Sequence, residues 1–336
     1  MNAKPRTMIV MRSCTAAAAL LLLCVATAHG QTAWKPERNV EIISGTAAGG
    51  AVDRANRTVQ KIWQEKKIVE APSAVVNKPG GGNTIAWNYI NQHAGDGHYV
   101  SIAPYTLLTN KIVGMTPLTW SDFSIIALLF NEYITVSVRS DSPIKTAADL
   151  VQRLKKDPSS LSIAVASTLG NHIHIGIAKP LKAAGVDIKK LKVVAFKSSG
   201  ESVTALLGGH VDVVSSTTPN VIGQLQAGTI RVIAIGSAAR LPGVLAGVPT
   251  WKEQGVNDVF NASQGAIGPK GLGAPQMAFW ESAFQKLSQS DEWKKELADN
   301  YWDSNFLSGK EAAKYYAEQA TELREILTDL GLARQP

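Results

Sequence analysis

The chain is predicted to be an α/β protein with largely parallel sheets, on three observations. Short apolar runs of strand length alternate with helix-periodic segments along its length. The runs end in loops rich in glycine or hydroxyl residues, and helices follow those loops. No internal repeat, low-complexity tract or long linker interrupts the alternation.

The first strand is read at Val40–Ser44 from apolar Val40, Ile42 and Ile43. The first helix, Val52–Lys66, follows from the spacing of Val52, Ala55, Val59, Ile62 and Trp63. A second strand, Ala74–Val76, leads through the loop Asn77–Asn83 to a helix over Thr84–Asn91. Val100–Ala103 is a third strand and Ile134–Val138 a longer one with alternating character. Ala147, Leu150, Val151 and Leu154 place a helix over Thr146–Lys156. A second αβ set then begins with a strand at Ile163–Ala166 and a helix at His172–Ala184, broken or kinked at Pro180. It continues with strand Val193–Phe196, helix Ser202–Leu207 ending at Gly208-Gly209, strand Val211–Ser215, helix Pro219–Ala227 and strand Arg231–Ile235. The remainder is mostly helical, in Gln276–Ser288 and Gly309–Leu330. Two αβ halves, with a C-terminal helical part returning to the first, predict two lobes with a cleft between them.

Lys4, Arg6 and Arg12 precede the apolar run Ala16–Ala28 and the small-residue end Ala28-His29-Gly30, which is the pattern of a secretory signal peptide. Cleavage is placed after Gly30, leaving 306 of the 336 residues. The apolar run is shorter than the ~20 residues of a spanning helix, so an exported, soluble protein is expected. Both cysteines, Cys14 and Cys24, fall inside the signal. Cys24 follows bulky Leu23, where a lipoprotein attachment site needs a small residue. A mature chain without cysteine excludes disulfides, thiolate zinc sites and thiol catalysis. Removing the three basic signal residues lowers the formal charge from +7 to +4. The remaining basic residues are scattered, as in Lys66-Lys67, Lys155-Lys156 and Lys189-Lys190, which argues against a nucleic-acid surface.

The chemistry is expected in the loops. Gly45-Thr46-Ala47-Ala48-Gly49-Gly50-Ala51-Val52-Asp53 is poor in side chains and opens a helix. Its backbone N–H groups and the positive end of the helix dipole favour an anion such as a carboxylate or phosphate, with Asp53 capping the first turn. A second glycine loop, Pro79–Asn83, follows the second strand. In a parallel sheet both loops reach one edge, where ligands bind. Neither is a nucleotide motif, because Ile85 stands where a dinucleotide fingerprint needs glycine and no GxxxxGK[ST] occurs. Three polar strand ends recur in the second half: Ser167-Thr168-Leu169-Gly170-Asn171, Ser198-Ser199-Gly200 and Ser215-Ser216-Thr217-Thr218. Each alone is first of all a helix cap; three sets facing two glycine loops predict one small-molecule cleft.

Several short motifs come in a characteristic order: Trp34-x-Pro36-x-Arg38, Gly49-Gly50-x-x-Asp53, Asn77-Lys78-Pro79-Gly80-Gly81-Gly82, Asp96-Gly97 and Asp122-Phe123. They continue with Gly170-Asn171-x-x-His174, Phe196-Lys197-x-x-Gly200, Gly208-Gly209-x-Val211-Asp212 and Val248-Pro249-Thr250-x-x-Glu253-x-Gly255. This order resembles the periplasmic solute receptors of tripartite tricarboxylate transporters, the Bug family, over nearly the whole mature chain. The resemblance implies a type II periplasmic binding-protein fold, with residues 31–133 and 258–336 as domain 1, residues 134–257 as domain 2, and a hinge crossed twice. It implies binding of a small organic acid (a di-, tri- or aromatic carboxylate) and delivery to the membrane components of a tripartite transporter, without cofactor, metal or catalysis. Carried over by position, the first loop gives Thr46, Ala47 and Gly50, with Asp53 as its organiser, and the second gives Gly80, Gly81 and Gly82. Tyr105, Thr106, Ser167, Asn171, His174, Ser216 and Thr217 line the remaining wall.

Two departures bear on the ligand. The family usually has proline and an aromatic residue where this chain has Gly45 and Thr46, and often an acid where it has Ser216. Losing that acid argues against an amine-bearing ligand. His172-x-His174 does not read as a metal pair, because i and i+2 side chains of a helix point to different faces. A secreted α/β hydrolase is the rival class, but no G-x-S-x-G elbow occurs and the many hydroxyls lack an evident base. A receptor feeding a membrane sensor is a further alternative. A monomer is the simplest expectation.

Overall fold

The computed structural model describes residues 34–48 and 51–334. The signal sequence, its expected cleavage point and both cysteines lie outside the described residues. In chain order the elements are β1 (Val40–Ser44), α1 (Ala51–Glu65), β2 (Ser73–Asn77), α2 (Thr84–Asn91), β3 (Tyr99–Ala103), α3 (Thr106–Thr109) and β4 (Ser124–Arg139). There follow α4 (Ala147–Lys156), β5 (Ser162–Ala166), α5 (His172–Ala183), β6 (Lys192–Phe196), α6 (Ser199–Leu207), β7 (Val213–Thr217), α7 (Ile222–Gln226) and β8 (Ile230–Ile235). The chain closes with β9 (Asn261–Gly268), α8 (Ala274–Gln289), α9 (Asp291–Asn300), β10 (Asp303–Ser308) and α10 (Gly309–Asp329).

The strands run in the order β2-β1-β3-β9-β4-β7-β5-β6, with β8 and β10 also paired to β4. The trios β2-β1-β3 and β6-β5-β7 are parallel. All pairings of β4, and that of β3 with β9, are antiparallel. The sheet is therefore mixed, not largely parallel. β9 and β10, absent from the sequence reading, account for part of the difference, and the antiparallel pairing of β4 with β7 and β8 for the rest. Ile125–Phe130 is buried at every position, so the first half of β4 lacks the alternation that marks a one-sided strand. β9 is built of small residues because its neighbours come close. A Cβ on Gly265 would lie 2.3 Å from the Tyr316 hydroxyl and 2.7 Å from the Ala127 carbonyl oxygen.

β4 changes partners midway. Ser124 to Tyr133 pair with β9, and Ile134 to Ser137 pair with β7. α1 forms where its apolar period predicts, burying Ala55, Val59, Ile62 and Trp63. Trp63 packs against Trp280 and Phe284 of α8, with ring centroids 5.4 and 5.0 Å away. α5 runs unbroken through Pro180 to Ala183. It presses on β4 at Gly176, where a Cβ would meet Ile134 at 2.5 Å. That packing offsets the hydrogen bond Pro180 cannot make.

β1 and β3 diverge after Val100, and the side chain of Asn56 fills the gap. Its Nδ2 donates to the Ile43 carbonyl and its Oδ1 accepts from the Ile102 amide, both at 3.1 Å. The Ser101 hydroxyl donates to the same Ile43 carbonyl at 2.6 Å. These bonds hold the C-terminal ends of β1 and β3, from which the first loop and Pro104 project.

Candidate functional site

A cavity of about 340 Å³ opens at those strand ends, within the range of small-molecule sites. The start of α1 contributes Val52 and Ala55, and the loop before it contributes Thr46. The start of α5 contributes Asn171, His172 and Ile173, and the start of α6 contributes Ser198 and Ser199. Three helices of eight residues or more thus begin at the cavity. Their first-turn N–H groups have no intrahelical acceptor, and their dipoles add positive potential there.

Each helix start is fixed by side chains. Asn171 Oδ1 accepts from the His174 amide at 3.1 Å, and its Nδ2 donates to the Ala166 carbonyl at 2.6 Å. Ser198 Oγ accepts from the Glu201 amide at 3.2 Å. At α1 the hydroxyl of Thr46 accepts from the Asp53 amide at 3.3 Å. Asp53 itself is buried beneath the loop, where Oδ1 accepts from Asn77 Nδ2 at 2.7 Å and Oδ2 from Arg57 Nε at 3.0 Å. Asn77 Nδ2 also donates to the Thr46 carbonyl at 2.9 Å.

The remaining wall comes from β4 and β9. Phe130 and Glu132, two residues apart on one face of β4, line the cavity with Gln264, the register partner of Phe130. Trp302 stacks on Phe130 with ring centroids 4.5 Å apart. Glu132 Oε2 lies 3.4 Å from His172 Nε2 and 3.4 Å from Gln264 Nε2. Among the described residues, no group of three or more His, Cys, Asp or Glu side chains is placed to hold a metal ion.

Of the sequence-selected residues, Thr46, Thr106, Ser167, Asn171 and Thr217 line the cavity. Ala47 is exposed and outside the lining, and Gly50 lies outside the described residues. Gly80, Gly81 and Gly82 also lie outside the lining; their loop delivers Asn83 to it. Gly81 and Gly82 turn the chain at φ +56° and +60°, a region open to glycine. Asn110 Nδ2 holds the loop by donating to the Gly82 carbonyl at 2.6 Å. Asn83 Nδ2 donates to Thr106 Oγ1 at 3.2 Å. Asn83 also explains Gly45, where a Cβ would lie 2.1 Å from Asn83 Oδ1; proline has no room there.

Tyr105 is buried behind the wall, its hydroxyl donating to Gln319 Oε1 at 3.0 Å. The Ser216 hydroxyl is buried without a partner among the described residues, one position before Thr217. His174 is buried one turn behind the lining, with Nδ1 accepting from the Gly170 amide at 3.0 Å. Its ring proton therefore sits on Nε2, which is buried without a partner. Burial pushes this imidazole from its ordinary value of 6.5 down to about 4. Because the native pKa is below the unfolded one, the unfolded chain binds the proton first on acidification. Stability is intact above about pH 6.5 and falls as pH drops toward 4, by up to about 3 kcal/mol. Urea unfolding across that window should show the loss, and His174→Gln should flatten it.

The family model "TctC: Tripartite tricarboxylate transporter family receptor" matches residues 56–332. The chain belongs to this family. Among relatives of this receptor, "UPF0065 protein in gbd 5'region" of Cupriavidus necator is 27% identical over 335 residues, 98% of each chain. Its fold is shared with the periplasmic binding protein BugD, at TM-score 0.74 and 23% identity over 89% of this chain and 100% of that one. It is also shared with R. palustris Rpa4515 in complex with adipate, at TM-score 0.75 and 22% identity over 89% and 99%. The chain is thus a receptor of the tripartite tricarboxylate transporter family, with the mixed α/β type II binding-protein fold that BugD also has. Sequence reasoning missed Phe130, Glu132, Gln264, Trp302 and Asn220 of its cavity. The places of Phe130, Glu132, Gln264 and Trp302 depend on β4, β9 and the chain after α9, segments without local motifs, and Asn220 lies in the turn after β7.

Proposed function

We propose that this receptor captures a small organic carboxylate in the 340 Å³ cavity and delivers it to the membrane components of a tripartite transporter. The convergence of three capped helix starts on one cavity is the observation that carries this reading. Backbone N–H groups of α1, α5 and α6 receive the carboxylate, and the hydroxyls of Thr46, Ser167 and Thr217 complete its shell. The adipate held by Rpa4515 supports the ligand class. Residues 31–133 with 258–336 act as one lobe and residues 134–257 as the other. They move about the point where β4 exchanges β9 for β7 and about the return of the chain near residue 258. The ligand favours closure only as far as it binds the closed form better. Export removes the signal after Gly30, so the mature N-terminus is Gln31.

The test is a thermal-shift screen of the mature protein against mono-, di-, tri- and aromatic carboxylates. It is paired with mass analysis of whatever small molecule unfolding releases. Ligand at about a hundred times its Kd adds roughly 2.7 kcal/mol, and several degrees of Tm are expected. The absence of both a thermal shift with every acid tested and any released acid would refute the carboxylate reading. N-terminal sequencing of exported protein checks the cleavage point.

A further inference from the structure

The sheet wall of this cavity carries a charge that the carboxylate seat does not use. Glu132 is the only acidic side chain among the described lining residues, and no lysine or arginine is among them. Only 7% of Glu132 is exposed. Its Oε2 is met by Gln264 and His172 at 3.4 Å each, beyond the usual 2.7–3.2 Å of a strong bond. Its Oε1 accepts no hydrogen bond from the described residues. A carboxylate withdrawn from water needs a cation or a full set of donors, and this one has two long contacts to neutral-amide and ring nitrogens. The stacked Phe130–Trp302 pair beside it keeps the wall apolar, which strengthens whatever electrostatic partner arrives.

We infer that the ligand carries, besides its carboxylate, a cationic nitrogen, and that Glu132 is the specificity-determining residue that receives it. The inference rests on the carboxylate reading above and narrows it to zwitterionic acids, with an amine or an alkylated amine at the far end. A second carboxylate at that end would share a small cavity with the Glu132 charge, and like charges that close are strongly disfavoured. Glu132 thus places on β4 an acid of the kind whose absence at Ser216 argued against an amine.

The experiment is calorimetric titration of the ligand-stripped mature protein with a chain-matched panel. The panel contains α- and ω-amino acids of increasing length, the corresponding dicarboxylates, and their monoamides. The expected result is an amino acid bound roughly 30-fold or more tightly than its matched dicarboxylate and monoamide. Glu132→Gln, with its fold checked by thermal melting, should erase that preference, so that the amino acid, its dicarboxylate and its monoamide bind within a few-fold of one another. A dicarboxylate or monoamide bound as tightly as the amino acid by the wild-type protein overturns the inference while the receptor reading stands. An unchanged preference in Glu132→Gln also overturns it. Failure of every carboxylate to bind would bring down both.

Discussion

Ser198→Asp is expected to abolish carboxylate binding while leaving the fold as stable as before. Ser198 caps α6 through its hydroxyl at 3.2 Å from the Glu201 amide and also lines the cavity. Aspartate is as good an N-cap as serine, and its charge suits the positive end of the helix. The cap is therefore kept, and unfolding free energy should change by less than about 0.5 kcal/mol. The added carboxylate occupies the seat in place of the ligand and repels it. Affinity should fall on the order of 30-fold or more, because like charges brought together at a binding site cost several kcal/mol. Ser198→Ala should behave in reverse. It loses the cap, at a cost of about 1 kcal/mol, yet adds no charge and keeps affinity within a few-fold. Titration and urea unfolding of both variants separate electrostatic from structural effects. Wild-type affinity in Ser198→Asp would remove the start of α6 from the site.

The largest loss of stability is expected for Asn56→Ala, at about 3 kcal/mol. Asn56 is fully buried and its amide bonds both β1 and β3. Alanine leaves the Ile102 amide buried without its partner and opens a small cavity beside it. An unsatisfied buried donor costs roughly 1–3 kcal/mol before the lost packing is counted. Ile102 lines the ligand cavity, so affinity should weaken as well. Ser101→Ala offers the contrast. The Ile43 carbonyl would still receive Asn56 Nδ2, so only about 1 kcal/mol should be lost. Equal effects of the two variants in urea unfolding would show that Asn56 does not bridge the strands as described.

Where a segment has one buried face, its local pattern carried enough information to place it. α1 was legible because Ala55, Val59, Ile62 and Trp63 recur at the helical period and all meet the core. The caps Asn171 and Ser198 were legible because a polar residue at a strand end, just before a helix, has one main use. β4 was only half legible: Ile125–Phe130 is covered on both faces, so no period distinguishes it from a buried helix. β9 was hidden by its glycines and small residues, selected by the approach of Tyr316 and the β4 backbone and not by strand propensity. The glycine loop at residues 80–82 was read as a ligand contact by position. Its positive-φ turn instead brings Asn83 forward, which no pattern in the loop announces.

The sequence by itself determined the class of protein, most of its elements as far as β8, the poised helix starts and, through motif order, its family. These are properties of neighbours along the chain: periodicity, capping chemistry and turn residues act over a few positions. Tertiary structure alone decided what stands opposite those helix starts. Glu132 and Gln264 come from β4 and β9, and nothing local to either marks it as part of a site; His172 meets them from the start of α5. Antiparallel pairing of β4 with β9 sets Gln264 beside Phe130, and the packing of α5 on Ile134 at Gly176 brings His172 to the same place. The charge that the ligand must answer is thus created by packing between distant segments, because a buried carboxylate takes its meaning from the partners that the fold leaves it.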